Sequence, residues 1–194
     1  MARVRTFIAV EVGEAIRNNA VALQQTLAKP GVNVNWVPAE NIHITLLFLG
    51  EVNERDLPAV CRVVADTAAG EPPFAFRVSR VGAFPNLRRP KVIWAGLTDG
   101  AAELARLHDR LEQPLLDLGC YRREDRPYTP HLTLGRVKSE ADGQALSPVL
   151  PKHADWVGGQ TTVGELVLFA SEPRRDGPTY TALGRGKLTG RRDS

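Results

Sequence analysis

Apolar residues recur along the chain with two periods, and switching between them predicts its elements. Phe7 to Val12 is rich in Val and Ile and reads as a strand. From Gly13 to Ala28 the apolar positions Ile16, Ala20, Leu23 and Leu27 fall at helical spacing, closed by Pro30-Gly31. Ile42 to Leu49 is apolar except at His43 and Thr45, which predicts a central strand buried on both faces and ended by Gly50. Asn53 is the expected N-cap of a helix to about Ala69, with Leu57, Val60, Val64 and Ala68 on one stripe. Glu71-Pro72-Pro73 breaks it, and Phe74 to Phe84 alternates as a strand.

The order then restarts. Lys91 to Leu97 predicts a strand. Asp99 is expected to cap a helix to about Leu118, with Leu104, Leu107, Leu111, Leu115 and Leu118 inward and Gly119 as its stop. His131 to Val137 is a strand, a poorer helix lies within Glu140 to Leu150, and Thr161 to Ala170 and Thr179 to Gly184 close the set. Strand, helix, strand, helix, strand thus occurs twice. This predicts an α+β fold of one bilobal domain over 1–184, internally duplicated as roughly 1–84 and 91–184 with a pseudo-twofold relation. Pro85 to Pro90 is the expected link between halves, and 185–194 reads as a basic, mobile tail.

At 194 residues, 43% hydrophobic and 24% charged, the composition is that of a soluble globular domain. A formal charge of +3 permits an anionic partner without demanding one. The two cysteines, Cys61 and Cys120, have no Cys-x-x-Cys spacing and read as reduced thiols. The apolar run near the N-terminus is cut short by Glu11, too early for a signal peptide, and no stretch is long enough to span a bilayer. A cytoplasmic location is expected.

The candidate chemistry lies in a repeated tetrapeptide. His43-Ile44-Thr45-Leu46 and His131-Leu132-Thr133-Leu134 each set an imidazole and a hydroxyl on one strand face, because side chains alternate. A pseudo-twofold would bring both sets to one cleft. Two imidazoles can divide the work of opening a five-membered cyclic phosphodiester: one takes a proton from water, the other protonates the departing sugar oxygen. The threonine hydroxyls can donate to the non-bridging oxygens. Metal-ligand spacings and nucleophile motifs are both missing from the sequence. His108 reads as a helix boundary residue and His153 as a solvent-exposed one.

Further candidates for substrate contact are Arg126, Tyr128, Arg136 and Phe48. Arg88-Arg89 and Arg122-Arg123 flank turns where they can form a basic rim. Strict alternation puts Arg136 on the face opposite His131, so its use needs a twist. Trp36, Phe48 and Tyr128 can each stack a base, but alternation sets Phe48 with Ile44 and Leu46, in the core.

The segment from Trp36 through His43-Ile-Thr45-Leu to Gly50 resembles the first motif of the two-histidine phosphoesterase superfamily. Arg126-Pro-Tyr-Thr-Pro130-His131-Leu-Thr133-Leu-Gly-Arg136 resembles its second. Arg5-Thr-Phe-Ile-Ala-Val and the stretch from Phe84-Pro through Arg88-Arg-Pro90 to Trp94-Ala-Gly are similar to the branch of RNA 2′,3′-cyclic phosphodiesterases, first named for 2′-5′ RNA ligation. The resemblance implies a bilobal α+β fold of mainly antiparallel sheet with outer helices and the active site in the central cleft. It further implies hydrolysis of RNA or small-nucleotide 2′,3′-cyclic phosphates to 2′-phosphomonoesters, by a monomer using neither metal nor cofactor. His43 would be the proton donor to the 3′ oxygen, His131 the acceptor that activates water, and Thr45 and Thr133 the phosphate ligands. Two rivals remain: 2′-5′ RNA ligation at the same site, and a non-catalytic RNA-end binding module.

Overall fold

A computed structural model describes residues 2–175 and 177–191. The described strands are β1 (Arg3–Glu11), β2 (Val34–Trp36), β3 (His43–Asn53), β4 (Phe74–Phe84), β5 (Val92–Asp99), β6 (Leu132–Val137), β7 (Val157–Val163), β8 (Glu165–Glu172) and β9 (Thr179–Lys187). The helices are α1 (Glu14–Ala28), α2 (Leu57–Ala69), α3 (Ala101–Asp117) and α4 (Glu140–Leu146). The strands form one antiparallel sheet in the order β7-β4-β5-β6-β3-β1-β8-β9, with β2 also paired to β6. A single residue, Gly164, joins β7 at one end of this order to β8 near the other. So short a link forces the sheet to curl until its ends approach.

The helices cover the convex face. On α2, Val60, Val64 and Ala68 are fully buried, and α2 packs on β8 and β9. Leu104, Leu107, Leu111 and Leu115 of α3 are equally buried, and α3 packs on β3, β5 and α2. Helix α1 lies over β6 and β7. The apolar spacing that predicts each helix is the stripe it buries, so the hydrophobic effect fixes both the helix and its docking face.

Several boundaries differ from expectation. Strand β3 continues past Gly50 to Asn53 and is not buried on both faces: Ile44, Leu46 and Leu47 are inside, whereas His43 and Thr45 are only half-buried. A short 3₁₀ turn at 54–56 separates Asn53 from α2, whose N-cap is Asp56. Asp99 belongs to β5, and Gly100, at φ 76°, precedes α3. Leu118 is exposed, because α3 ends one residue before it. The stretch 161–170 spans two strands turning at Gly164, and β2 had no apolar period to mark it.

The halves drawn at 84 and 91 do not match the lobes. Strand β4 joins the β5-β6 side, and β8 and β9 return to β1, so each side of the β3–β6 junction mixes both halves. Residues 85–90 connect the paired strands β4 and β5 as a hairpin turn within one side. The tail boundary at 184 falls inside β9, where Arg185 is paired to Glu11 and Glu165, and Leu188 is buried. Residues 192–194 of that tail lie outside the described residues.

Gly100 gives a direct test of the packing around α3. A Cβ there would stand 2.5 Å from the Phe76 Cβ and 2.7 Å from the Ala75 carbonyl oxygen, on a left-handed backbone. Gly100→Ala is expected to cost about 2 kcal/mol or more of folding stability in chemical denaturation. An unchanged midpoint would contradict the packing described.

Candidate active site

Strands β3 and β6 touch through one register pair, Ile44 opposite Leu132, both fully buried on the convex side. In an antiparallel pair this register sets His43 opposite Thr133 and Thr45 opposite His131. All four then share the concave face, with the histidines on a diagonal. Diagonal neighbours across such a pair lie roughly 7–8 Å apart, which is room for one phosphate between two imidazoles.

Both rings are held the same way. His43 Nδ1–H donates to the Asn41 carbonyl at 2.6 Å, and His131 Nδ1–H to the Thr129 carbonyl at 2.7 Å. Each carbonyl belongs to the residue two before, so the local backbone selects the tautomer and leaves Nε2 without the ring proton. They differ at Nε2. That of His43 lies 2.9 Å from Thr45 Oγ1, whereas that of His131 has no protein partner among the described residues.

Aromatic rings wall both imidazoles. Phe7 stacks on His43 at 4.9 Å between centroids, and Tyr180 meets it edge-on at 5.5 Å. Phe84 meets His131 edge-on at 5.1 Å, with Trp94 at 6.5 Å. Burial pushes His43 below its ordinary value, against the raising effects of the Asn41 carbonyl and Glu11, while His131 lowers it further. Burial also lowers His131, opposed by the Thr129 carbonyl and reinforced by Arg136.

Two β-bulges bring in residues that strict alternation excludes. Ala9 pairs with Thr45 but Ile8 with Leu47, so Leu46 is the extra residue in β3. Trp94 pairs with Thr133 but Ile93 with Gly135, so Leu134 is the extra residue in β6. A bulge lets two consecutive residues face the core, and the next side chain lands on the opposite face. Leu46 and Leu47 are both buried, and Phe48 emerges on the histidine face 55% exposed, 6.2 Å from Phe7. Phe48 is therefore not core. Arg136 holds the matching place after Leu134 and Gly135, which supplies the twist its use required.

The remaining candidates fare differently. The Tyr128 hydroxyl donates to the Thr45 carbonyl at 2.9 Å, and its ring stacks on His108 at 4.4 Å. Burial pushes the phenol well above its ordinary range. Tyr128 thus ties the 121–131 loop to β3 and α3. Arg126 is exposed in that loop, with no hydrogen bond or ion pair among the described residues. Trp36 is half-buried against the core beside Gly135. His153 is half-buried in a 3₁₀ turn, not fully exposed. Cys61 and Cys120 are free thiols.

Beside His43 opens a cavity of about 350 Å³ lined by Asn41, Phe169, Pro178, Tyr180, Arg17 and Arg185. Glu11, opposite His43 in the β1–β3 ladder, pairs there with Arg185 at 2.8 Å and Arg17 at 4.0 Å. Tyr180 and Phe169 reach His43 only because β8 and β9 return to β1, a pairing no local signal marks. Phe7 and Trp94 lie within segments that carried the resemblance.

With this geometry in view, the family model of the 2′-5′ RNA ligase superfamily matches residues 14–175. The chain belongs to the 2′-5′ RNA ligase superfamily. Within that superfamily, a Methanothermobacter thermautotrophicus protein named RNA 2′,3′-cyclic phosphodiesterase is 35% identical over 93% of this chain and 97% of its own length. One of the same name from Thermotoga maritima is 32% identical over 92% of each. Among solved structures, TT0787 of Thermus thermophilus superposes with a TM-score of 0.82 at 31% identity, covering 97% of this chain and 100% of its own. Escherichia coli LigT complexed with 3′-AMP gives 0.79 at 29% identity, covering 96% and 99%. These matches also bear out the α+β fold, with its curled, antiparallel sheet and helices.

The lowered imidazoles carry a stability consequence. A folded-state value below 6.5 means that the unfolded chain binds more protons just below that pH, so this contribution is complete above about 6.5 and lost as pH falls through it. Denaturation across pH 7 to 5 should show a shallower loss of stability in His131→Gln than in the unaltered chain. An identical slope would mean that His131 is not depressed.

Proposed function

We propose that this protein hydrolyses the 2′,3′-cyclic phosphate at RNA ends, or on small cyclic nucleotides, to a 2′-phosphomonoester. The observation that carries the reading is the pair of backbone-pinned imidazoles, both Nε2 atoms on one face, on neighbouring strands. His131, with Nε2 unengaged by protein, takes the proton of the attacking water. His43, protonated and beside the Glu11 carboxylate, gives its proton to the 3′ oxygen as the P–O3′ bond breaks. Thr45 and Thr133 donate to the phosphate oxygens, where charge accumulates in the transition state. Arg136 adds positive charge on the same face, and Phe48 offers a π-face to the terminal base.

Both proton transfers use side chains of a single chain, so a monomer suffices. Among the described residues there is no cluster of three or more His, Cys, Asp or Glu that would hold a metal ion. No helix among them is long and apolar enough to cross a membrane. The names of the relatives and the 3′-AMP bound to LigT support a nucleotide substrate.

Assays on a cyclic-phosphate-ended oligonucleotide with excess chelator should retain turnover. His43→Ala and His131→Ala should each lose roughly 10²-fold or more in kcat. Turnover abolished by chelator, or surviving either substitution, would overturn the mechanism; tight binding of the end without turnover would favour the binding module. Since both free-enzyme imidazoles are depressed, kcat/KM should be bell-shaped with its maximum below about pH 6.5. A maximum above neutral pH would contradict those assignments. Phe48→Ala should raise KM by roughly tenfold or more if its ring stacks the base.

A further inference from the structure

Resting on the place that the hydrolase reading gives Arg136, we infer that Gln24 is a positioning residue, whose amide holds the β6 bulge from behind the sheet and keeps Arg136 on the phosphate-binding face. Gln24 breaks the pattern of its own helix. It follows Ala20 by four residues and lies on the stripe that α1 buries, 6% exposed beside Ile16, Leu23 and Leu27. A buried amide is costly unless its polar atoms are bonded. Here the Nε2 group donates to the Val37 carbonyl and to the Leu134 carbonyl, both at 2.8 Å. Leu134 is the extra residue of the β6 bulge, and Val37 directly follows β2. One side chain thus ties α1, the end of β2 and the bulge together.

The surroundings of that tie converge on Arg136. The Val37 N–H donates to the same Leu134 carbonyl at 2.9 Å. Gly135 lies under Val34 and Trp36, where a Cβ would stand 2.7 Å from each side chain. Arg136, next along, faces Asn35 of β2 and Val92 of β5. Its charge acts on Tyr180 as well as on His131. Tyr180 in turn meets His43 edge-on, so that charge lies on the face that holds both imidazoles.

The extra residue of a bulge has no ladder partner, so ladder bonds alone do not hold it. In an unbulged register, alternation returns Arg136 to the face opposite His131. Two donors on the Leu134 carbonyl, one of them sent from α1, hold the bulge where the ladder cannot. Gln24 thereby acts on the concave face from the convex one, and it is absent from the lining of the cavity beside His43.

A double-mutant cycle of Gln24→Met and Arg136→Ala, read as hydrolysis of adenosine 2′,3′-cyclic phosphate across pH, tests this. Methionine matches the length of Gln24 and has no N–H to donate. His131 is walled by uncharged rings, Phe84 of β4 and Trp94 of β5, and the charges acting on it are Arg136 and, across the junction, His43. His131 must be unprotonated to accept the proton of water. Withdrawing the Arg136 charge raises its value and so moves the acidic limb of kcat/KM to higher pH. Each single variant should shift that limb upward and raise KM by about tenfold, with kcat changed by less than about threefold. The double variant should do no more than Arg136→Ala alone. A purely structural role would lower the unfolding midpoint of Gln24→Met and leave its KM and pH profile unmoved. Should methionine prevent folding, Gln24→Asn, whose amide stops one methylene short of Leu134, carries the same expectation. Multiplying effects in the double variant, an unmoved profile in a folded Gln24 variant, or an Arg136→Ala protein indistinguishable from the unaltered one would overturn the inference. Absence of hydrolysis in the unaltered protein would instead strike the hydrolase reading itself.

Discussion

The β3–β6 junction is the constraint on which the site depends. Ile44 and Leu132 are fully buried and form the one register pair joining the two central strands. Slipping that register by one residue would send an imidazole and a hydroxyl into the core, expelling an apolar side chain in exchange. The cost of burying unpaired polar groups therefore guards the alignment of His43, Thr45, His131 and Thr133. Apolar packing on one face of the sheet sets the geometry of polar chemistry on the other.

Two further devices act on that base. The carbonyls of Asn41 and Thr129 fix both tautomers before any substrate arrives, so no proton needs to be rearranged within the rings. The paired bulges deliver a different side chain to each half, Phe48 on one and Arg136 on the other. The two sides of the β3–β6 junction share the His-x-Thr pairs but differ in what surrounds them. One is aromatic and half-enclosed around Tyr180 and Phe169. The other is open and rimmed by arginine.

Legibility in the sequence followed the range of the interaction. The tetrapeptides and their shared face were readable because alternation is a property of one strand. The stripes of α2 and α3 were readable because helical period is local too. The bulges were not: Leu46-Leu47 and Leu134-Gly135 look like ordinary strand, and the extra residue is defined only against Ile8-Ala9 and Ile93-Trp94 on partners far away in sequence. Hence alternation alone places Phe48 in the core and leaves Arg136 needing a twist that nothing local supplies. The return of β8 and β9 to β1 was hidden for the same reason. It carried Tyr180 to His43 and undid the boundary drawn between the halves.

If both imidazoles address one phosphorus, ¹⁵N-histidine NMR during titration with adenosine 2′-phosphate will show it. The Nε2 signals of His43 and His131 should move together, saturate at the same ligand concentration, and both report raised pKa values in the complex. A response from one ring alone, or two responses with separate saturation points, would place the imidazoles at different sites and contradict it.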